Sequence, residues 1–334
     1  MGKSALEAKV AFLSSPEGYP DGTTAVATVE THMSWVFLTD SHAWKLKKPF
    51  RLDHHDLSSA AARREHCLLE VRLNRRLSEG VYLDVVALAE DEAGRLALGG
   101  PGTAVDWLVK MRRLPAERML DALVRAHALR VDDVKRVVRL LGHFYRQGPR
   151  PSVEPRDFRA RIAAGIEENC RELGLAEYRM PRGQVEAIAA LQRAFLAREG
   201  SVFDERAASG RIVEGHGDLR PEHVCLEPRP QIIDCLEFSK ELRTLDAAEE
   251  LAFLALECER LGAPGLRHVI FAAYAEATGD RPPEPLVDFY QAYHAMVRAK
   301  LAAWHLRDPH LRLLPRWPAQ ARQYLLLARD HLGK

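Results

Sequence analysis

Residues 216–223 read His-Gly-Asp-Leu-Arg-Pro-Glu-His, and a hydrophobic run, Gln231-Ile232-Ile233, ends at Asp234. Two carboxylates, Asp218 and Asp234, thus stand sixteen positions apart, the first after a His-Gly turn and the second closing an apolar run. Phosphoryl transfer from a metal nucleotide needs that division of labour. One Asp orients an acceptor hydroxyl and takes its proton, and a second holds Mg²⁺ against the phosphates. Asp218 is the candidate base. Asp234 is the candidate metal ligand, because Mg²⁺ takes one or two carboxylates and completes its shell with phosphate oxygens and water. Glu237, three residues on, is either a further metal or substrate contact or a solvated loop residue. A competing reading takes His216, Asp218, His223 and Asp234 together as the ligand set of a metal hydrolase.

The elements that must position these groups change character along the chain. Residues 5–13 read as a short amphipathic helix followed by a Pro/Gly-rich loop. Short β-branched or aromatic runs at 25–29, 34–38 and 43–47 predict an antiparallel meander ended by Pro49. A helix follows over about 58–77, with Leu69, Leu73 and Leu77 on one face. Two more strands are predicted, 81–88 and about 104–111, around the turn Gly99-Gly100-Pro101-Gly102. From Glu117 the pattern is mostly helical, over about 117–127, 131–146, 155–174, 182–199, 241–261, 265–277, 285–306 and 317–332. Only 212–236 interrupts it with short strands and turns. The fold class expected is therefore α+β, a small antiparallel β lobe (1–111) and a larger, mainly helical lobe (112–334).

Composition narrows the partners. The 334 residues suffice for two lobes with a buried core. With 48 basic and 47 acidic side chains the net charge is +1, which argues against nucleic-acid or anionic-membrane binding. Five scattered cysteines with no CxxC pair read as reduced thiols. No apolar run reaches the length of a membrane span, and Glu7 and Lys9 interrupt any signal-peptide core, so a cytoplasmic protein is expected. Gly2-Lys3-Ser4 is not a P-loop, since the first glycine of that motif would precede residue 1. Nothing in the sequence indicates an oligomeric state.

The His216–His223 and Ile233–Phe238 segments resemble the catalytic and metal-binding segments of aminoglycoside phosphotransferase-like kinases, which share the protein-kinase-like fold. The resemblance extends over 29–38, the Lys45-Leu46-Lys47-Lys48-Pro49 strand end, 73–77 with 82–86, 109–114 and Val297-Arg298-Ala299-Lys300. Together these look like an uncharacterised bacterial branch, some of whose members carry an additional C-terminal P-loop domain. The resemblance here is to the kinase-like module without that domain.

The resemblance implies a bilobal fold with ATP or GTP between the lobes against 109–114, Met111 included, and a small-molecule hydroxyl acceptor such as a sugar, aminoglycoside or amino alcohol. It implies that Lys45 pairs with the nucleotide phosphates, with Lys47 on the same strand face as a competitor, and that Glu70 pairs with that lysine. Taken alone, Glu70 reads as an i,i+4 partner of His66 or Asn74. No GxGxxG loop is present, so contacts at the first turn would come from backbone N–H groups and the Thr31 or Ser34 hydroxyls. One departure stands out: His223 occupies the position of a metal-binding Asn. It is expected to bind phosphate or orient Asp234, to ligate Mn²⁺ in preference to Mg²⁺, or to mark a nucleotide-binding pseudokinase.

Overall fold

The computed structural model describes residues 3–52, 55–308 and 311–333, so Gly2 and Lys334 lie outside the described residues. Its strands are β1 (Ala27–Glu30), β2 (Ser34–Leu38), β3 (His42–Lys47), β4 (Arg51–Leu52), β5 (His55–Asp56), β6 (Tyr82–Glu90), β7 (Leu96–Leu98), β8 (Thr103–Arg112), β9 (Ile212–Glu214), β10 (Val224–Cys225), β11 (Gln231–Ile232) and β12 (Thr244–Asp246). The helices are α1 (Lys3–Leu13), α2 (Ala60–Asn74), α3 (Leu120–Arg125), α4 (Val131–Gln147), α5 (Pro155–Leu173), α6 (Arg182–Arg198), α7 (Gly200–Ala208), α8 (Lys240–Arg243), α9 (Ala247–Arg260), α10 (Leu266–Thr278), α11 (Glu284–Trp304) and α12 (Arg316–Leu332). They form an antiparallel sheet with its helices and a helical assembly, the kinase-like fold.

The chain packs as two compact units, Met1–Leu123 with Glu222–Lys240, and Val124–Pro221 with Glu241–Lys334. The β10–β11 hairpin belongs to the first unit, where Cys225 bridges Met119 and Leu226 N–H donates to the Arg118 carbonyl.

In the first unit six antiparallel strands follow the order β1-β2-β3-β8-β6-β7. Alternation along His42-Ala43-Trp44-Lys45-Leu46-Lys47 divides the sheet's two faces. Trp44 and Leu46 point into one core with Leu13, Tyr19, Phe37, Leu88 and Leu108. Lys45 and Lys47 take the opposite face, where Val109 and Met111 pack with Cys67 and Val71 of α2. Ser59 caps α2 by accepting the Ala62 N–H. A buried ion cluster ties both helices to the sheet. Arg63 of α2 grips Asp106 of β8 with two nitrogens at 2.7 and 2.8 Å, and Lys9 of α1 reaches the same carboxylate at 2.7 Å.

The second unit is helical around two apolar cores, one built on α6, α9, α11 and α12 and the other on α5, α6, α7, α9 and α11. Two expected helices differ, and one further helix is present. Residues 117–127 form a 3-10 turn and the six-residue α3, because Met119 is extended to make its bridge to Cys225. The segment after 199 holds α7, anchored by buried Phe203. The expected 241–261 helix contains β12, which pairs with β9, and α9 begins only after Asp246 caps it by accepting the Ala248 N–H at 2.8 Å. Asp246 is itself held by Arg206, which also binds Asp280. Among the described residues all five cysteines are free thiols, and no helix is long and apolar enough to cross a membrane.

Arg63→Met leaves Asp106 buried with only Lys9 as a cationic partner, and breaking a buried ion pair costs about 3–5 kcal/mol. Urea denaturation of this variant should show a loss of that size; a change under about 1 kcal/mol would mean that the cluster does not hold the helices to the sheet.

Candidate active site

In the first unit five charged side chains form a chain of ion pairs centred on Glu70, which is fully buried on α2. Its Oε1 accepts from Lys45 Nζ at 2.9 Å and its Oε2 from Lys47 Nζ at 2.6 Å. Lys45 Nζ continues to Asp234 Oδ1 at 2.6 Å, and Lys47 Nζ to Glu237 Oε1 at 2.5 Å. Burial opposes the charge on both lysines, but the surrounding carboxylates prevail: Asp234 and Glu70 hold Lys45 well above the usual lysine range, and Glu70 with Glu237 raise Lys47. Burial likewise works against the Glu237 carboxylate, yet Lys47 and Lys45 pull its pKa below the ordinary glutamate value. Glu237 is therefore no solvated loop residue, and neither lysine is an exposed strand lysine.

The two ends of this chain differ in access. Lys47 is 2% exposed and enclosed by its two carboxylates, whereas the Asp234 side chain is 43% exposed. Asp234 has a left-handed backbone, φ 63°, a region that non-glycine residues rarely occupy without support. The support comes from α2 and β6. Asp234 N–H donates to the Tyr82 hydroxyl at 3.0 Å, and Cys235 N–H donates to Asn74 Oδ1 at 2.8 Å. Glu70 and Asn74 are one helical turn apart, so a single helix face orders both the lysines and the Asp234 loop. Asn74 does not pair with the Glu70 carboxylate; its amide donates to the Glu70 backbone carbonyl.

His223 is buried beside this loop, with Nε2 3.5 Å from Asp234 Oδ2, and its carbonyl accepts the Ile233 N–H. Ser34 is buried opposite Lys47 on β2, in a turn closed by Thr31, whose hydroxyl donates to the Ser34 carbonyl at 2.9 Å and accepts its N–H at 3.0 Å. The Thr31 hydroxyl is thereby engaged by the backbone. Met111 lies in the apolar cluster under the lysine face, against which Ile233 also packs. Among the described residues no three His, Cys, Asp or Glu side chains converge as a metal cage. A donor set led by one accessible carboxylate does fit Mg²⁺, which draws its remaining ligands from phosphate and water.

The Asp218 loop belongs to the second unit, and its sequence explains its shape. Gly217 has φ 86°, which favours glycine. Buried His216 turns Nδ1 toward the Asp218 N–H at 3.3 Å. Asp218 Oδ2 accepts from Arg220 Nε at 3.1 Å. The loop rests on Glu250 of α9, a residue with no local motif to betray it. Glu250 Oε1 accepts both the His216 and Gly217 N–H groups at 2.7 Å, and Oε2 accepts the Tyr145 hydroxyl at 2.6 Å. A Cβ at Gly215 would stand 2.7 Å from both carboxylate oxygens, so a larger residue there would displace the Glu250 carboxylate.

No protein-family model matches the chain. Uncharacterised proteins of Mycobacterium tuberculosis and Mycobacterium bovis are each 31% identical over 306 residues, 91% of this chain. The chain spans 59% of the length of these relatives. A choline/ethanolamine kinase family protein from Mesorhizobium loti has a similar structure, with TM-score 0.55, 16% identity, and coverage of 99% of this chain and 95% of that one. A Cryptosporidium parvum choline kinase gives TM-score 0.55 and 10% identity, over 97% and 95% of the two chains. A thermostable aminoglycoside phosphotransferase in ternary complex with AMP-PNP and hygromycin B gives 0.52 and 13%, over 92% and 96%.

Hydrogen bonds to a charged acceptor are worth about 1.5–3 kcal/mol, so Glu250→Ala should speed amide exchange at His216 and Gly217 roughly 10- to 100-fold. Unchanged protection at both amides would show that Glu250 does not hold the loop.

Proposed function

We propose that this chain is a nucleotide-dependent phosphotransferase that moves the γ-phosphate of ATP or GTP to a hydroxyl of a small molecule. The observation that carries this reading is the Glu70–Lys45–Asp234 chain, in which a buried glutamate presents a lysine next to an accessible, conformationally constrained aspartate. A lysine so placed suits nucleotide phosphates, and the aspartate suits the metal that accompanies them. The kinase-like fold supports the reading, as do the nucleotide and acceptor named for the aminoglycoside phosphotransferase complex.

In this account residues 1–111 serve nucleotide binding, with Lys45, Glu70, Ser34 and Met111 on the nucleotide side, and residues 112–334 serve catalysis and acceptor binding. Asp234, with His223 beside it, would hold Mg²⁺, which when bound supplies charge compensation for the phosphates. Asp218 orients the acceptor hydroxyl and takes its proton, and the Glu250 brace keeps its loop in place while it does so. Positioning and electrostatic stabilisation account for most of the catalysis in this reaction class, so rigid support of the two aspartate loops matters as much as the carboxylates.

The test is ATP and GTP consumption with Mg²⁺ or Mn²⁺ across sugar, hydroxy-acid and amino-alcohol acceptors. Asp218→Asn keeps the size of the side chain but cannot accept a proton. It should lower kcat on the order of 10²-fold or more with little change in nucleotide affinity. Near-native turnover in this variant would remove Asp218 from the mechanism. Nucleotide binding without turnover in the native protein, whatever the metal and acceptor, would replace the enzyme by a pseudokinase.

A further inference from the structure

Four successive backbone N–H groups run into and past Asp234, and each has a fixed acceptor. Ile232 N–H donates to the Leu77 carbonyl at 3.1 Å, and Ile233 N–H to the His223 carbonyl at 2.9 Å. Asp234 N–H then donates to the Tyr82 hydroxyl at 3.0 Å, and Cys235 N–H to Asn74 Oδ1 at 2.8 Å. The acceptors change from backbone to side chain at the residue where φ becomes 63°. A left-handed residue turns the chain out of a carbonyl ladder, so side chains must supply what the ladder no longer can.

Both side-chain acceptors are themselves fixed. Asn74 is fully buried, and its amide nitrogen donates to the Glu70 carbonyl at 2.9 Å, so its oxygen is the atom turned to Cys235. The Ser78 hydroxyl pins the Asn74 carbonyl at 2.8 Å. Tyr82 is buried in the apolar cluster of Cys67, Val71 and Val109, which a phenylalanine would fill equally well. Its hydroxyl therefore has no packing role there, and the Asp234 N–H is its hydrogen-bond partner among the described residues.

The Asp234 carboxylate has a separate tether, Lys45 at 2.6 Å. Nucleotide phosphates would compete for that lysine. Once they take it, the direction of the carboxylate depends on the backbone beneath it.

We infer that Tyr82 and Asn74 are positioning residues for the metal-binding carboxylate, holding Asp234 left-handed so that it keeps its direction when Lys45 turns to phosphate. This rests on the phosphotransferase reading. Each residue acts through the loop backbone, as outer partners of metal ligands do.

The experiment compares the full native chain with Tyr82→Phe and Asn74→Ala. Amide exchange is followed without ligand, and a non-hydrolysable ATP analogue is titrated calorimetrically with and without Mg²⁺. Exchange should quicken up to roughly 10-fold at Asp234 in Tyr82→Phe and at Cys235 in Asn74→Ala, the scale of one hydrogen bond. The gain in analogue affinity that Mg²⁺ provides should shrink roughly 10- to 100-fold in both variants, while metal-free binding changes little. A purely structural role would instead weaken both forms of binding alike. That result, an unchanged Mg²⁺ gain, or unchanged exchange at Asp234 in folded Tyr82→Phe would each overturn the inference. Tyr82→Phe keeps the ring, so it decides the matter even if Asn74→Ala fails to fold. A native protein that binds Mn²⁺ but no nucleotide would count against the phosphotransferase reading alone, and the Mn²⁺ affinity of Tyr82→Phe would then decide the positioning role. A native protein that binds neither would overturn both.

Discussion

Everything in the sheet-bearing unit depends on the burial of one carboxylate. Glu70 is out of contact with water, and an ionised group there is tolerable only if both oxygens are satisfied by charge. Two lysines from one face of one strand do this, and each directs its remaining capacity to a carboxylate of the 222–240 segment. Lys47 is the harder of the two to remove, because it is the more enclosed and its loss would strand buried Glu237 together with one oxygen of Glu70. The same constraint couples α2, β3 and the Asp234 loop into one rigid body. Three carboxylates face two lysines, which leaves a negative surplus at the accessible end, where Asp234 stands.

The helical unit solves a related problem with neutral donors. Glu250 is almost completely buried, yet its partners are two backbone N–H groups and a tyrosine hydroxyl rather than cations. Backbone donors fix a loop more directly than side chains can, since a carboxylate spanning consecutive amides dictates local backbone direction. Gly215 and Gly217 are the local requirements of that arrangement, one for space and one for its positive φ. The Asp218 loop is therefore held directly by a buried carboxylate, and the Asp234 loop by Tyr82, Asn74 and, through Lys45, by Glu70.

Much of this was legible in the sequence because it rests on local pattern. The alternation of His42–Lys47 exposes the two-faced strand, and Gly217 marks the turn before Asp218. The helix carrying Glu70 is readable from its apolar spacing. What escaped rests on distant pairing. Glu237 and Lys47 find each other 190 positions apart, and Glu250 reaches back 34 residues to His216. The break in the expected 241–261 helix escaped for the same reason, since β12 exists only because β9 is there to pair with it.

The central claim is that Glu70 divides two chemically identical lysines into a nucleotide contact and a structural brace. Calorimetric Mg·ATP affinities and urea stabilities of Lys45→Met and Lys47→Met measure it directly. Lys45→Met should weaken nucleotide roughly tenfold or more, the scale of one charge-assisted hydrogen bond to phosphate. Lys47→Met should instead lose about 3–5 kcal/mol of stability, because it strands two carboxylates whose shared partner was buried. The opposite pattern, with nucleotide affinity lost mainly through Lys47 and stability through Lys45, would contradict the account.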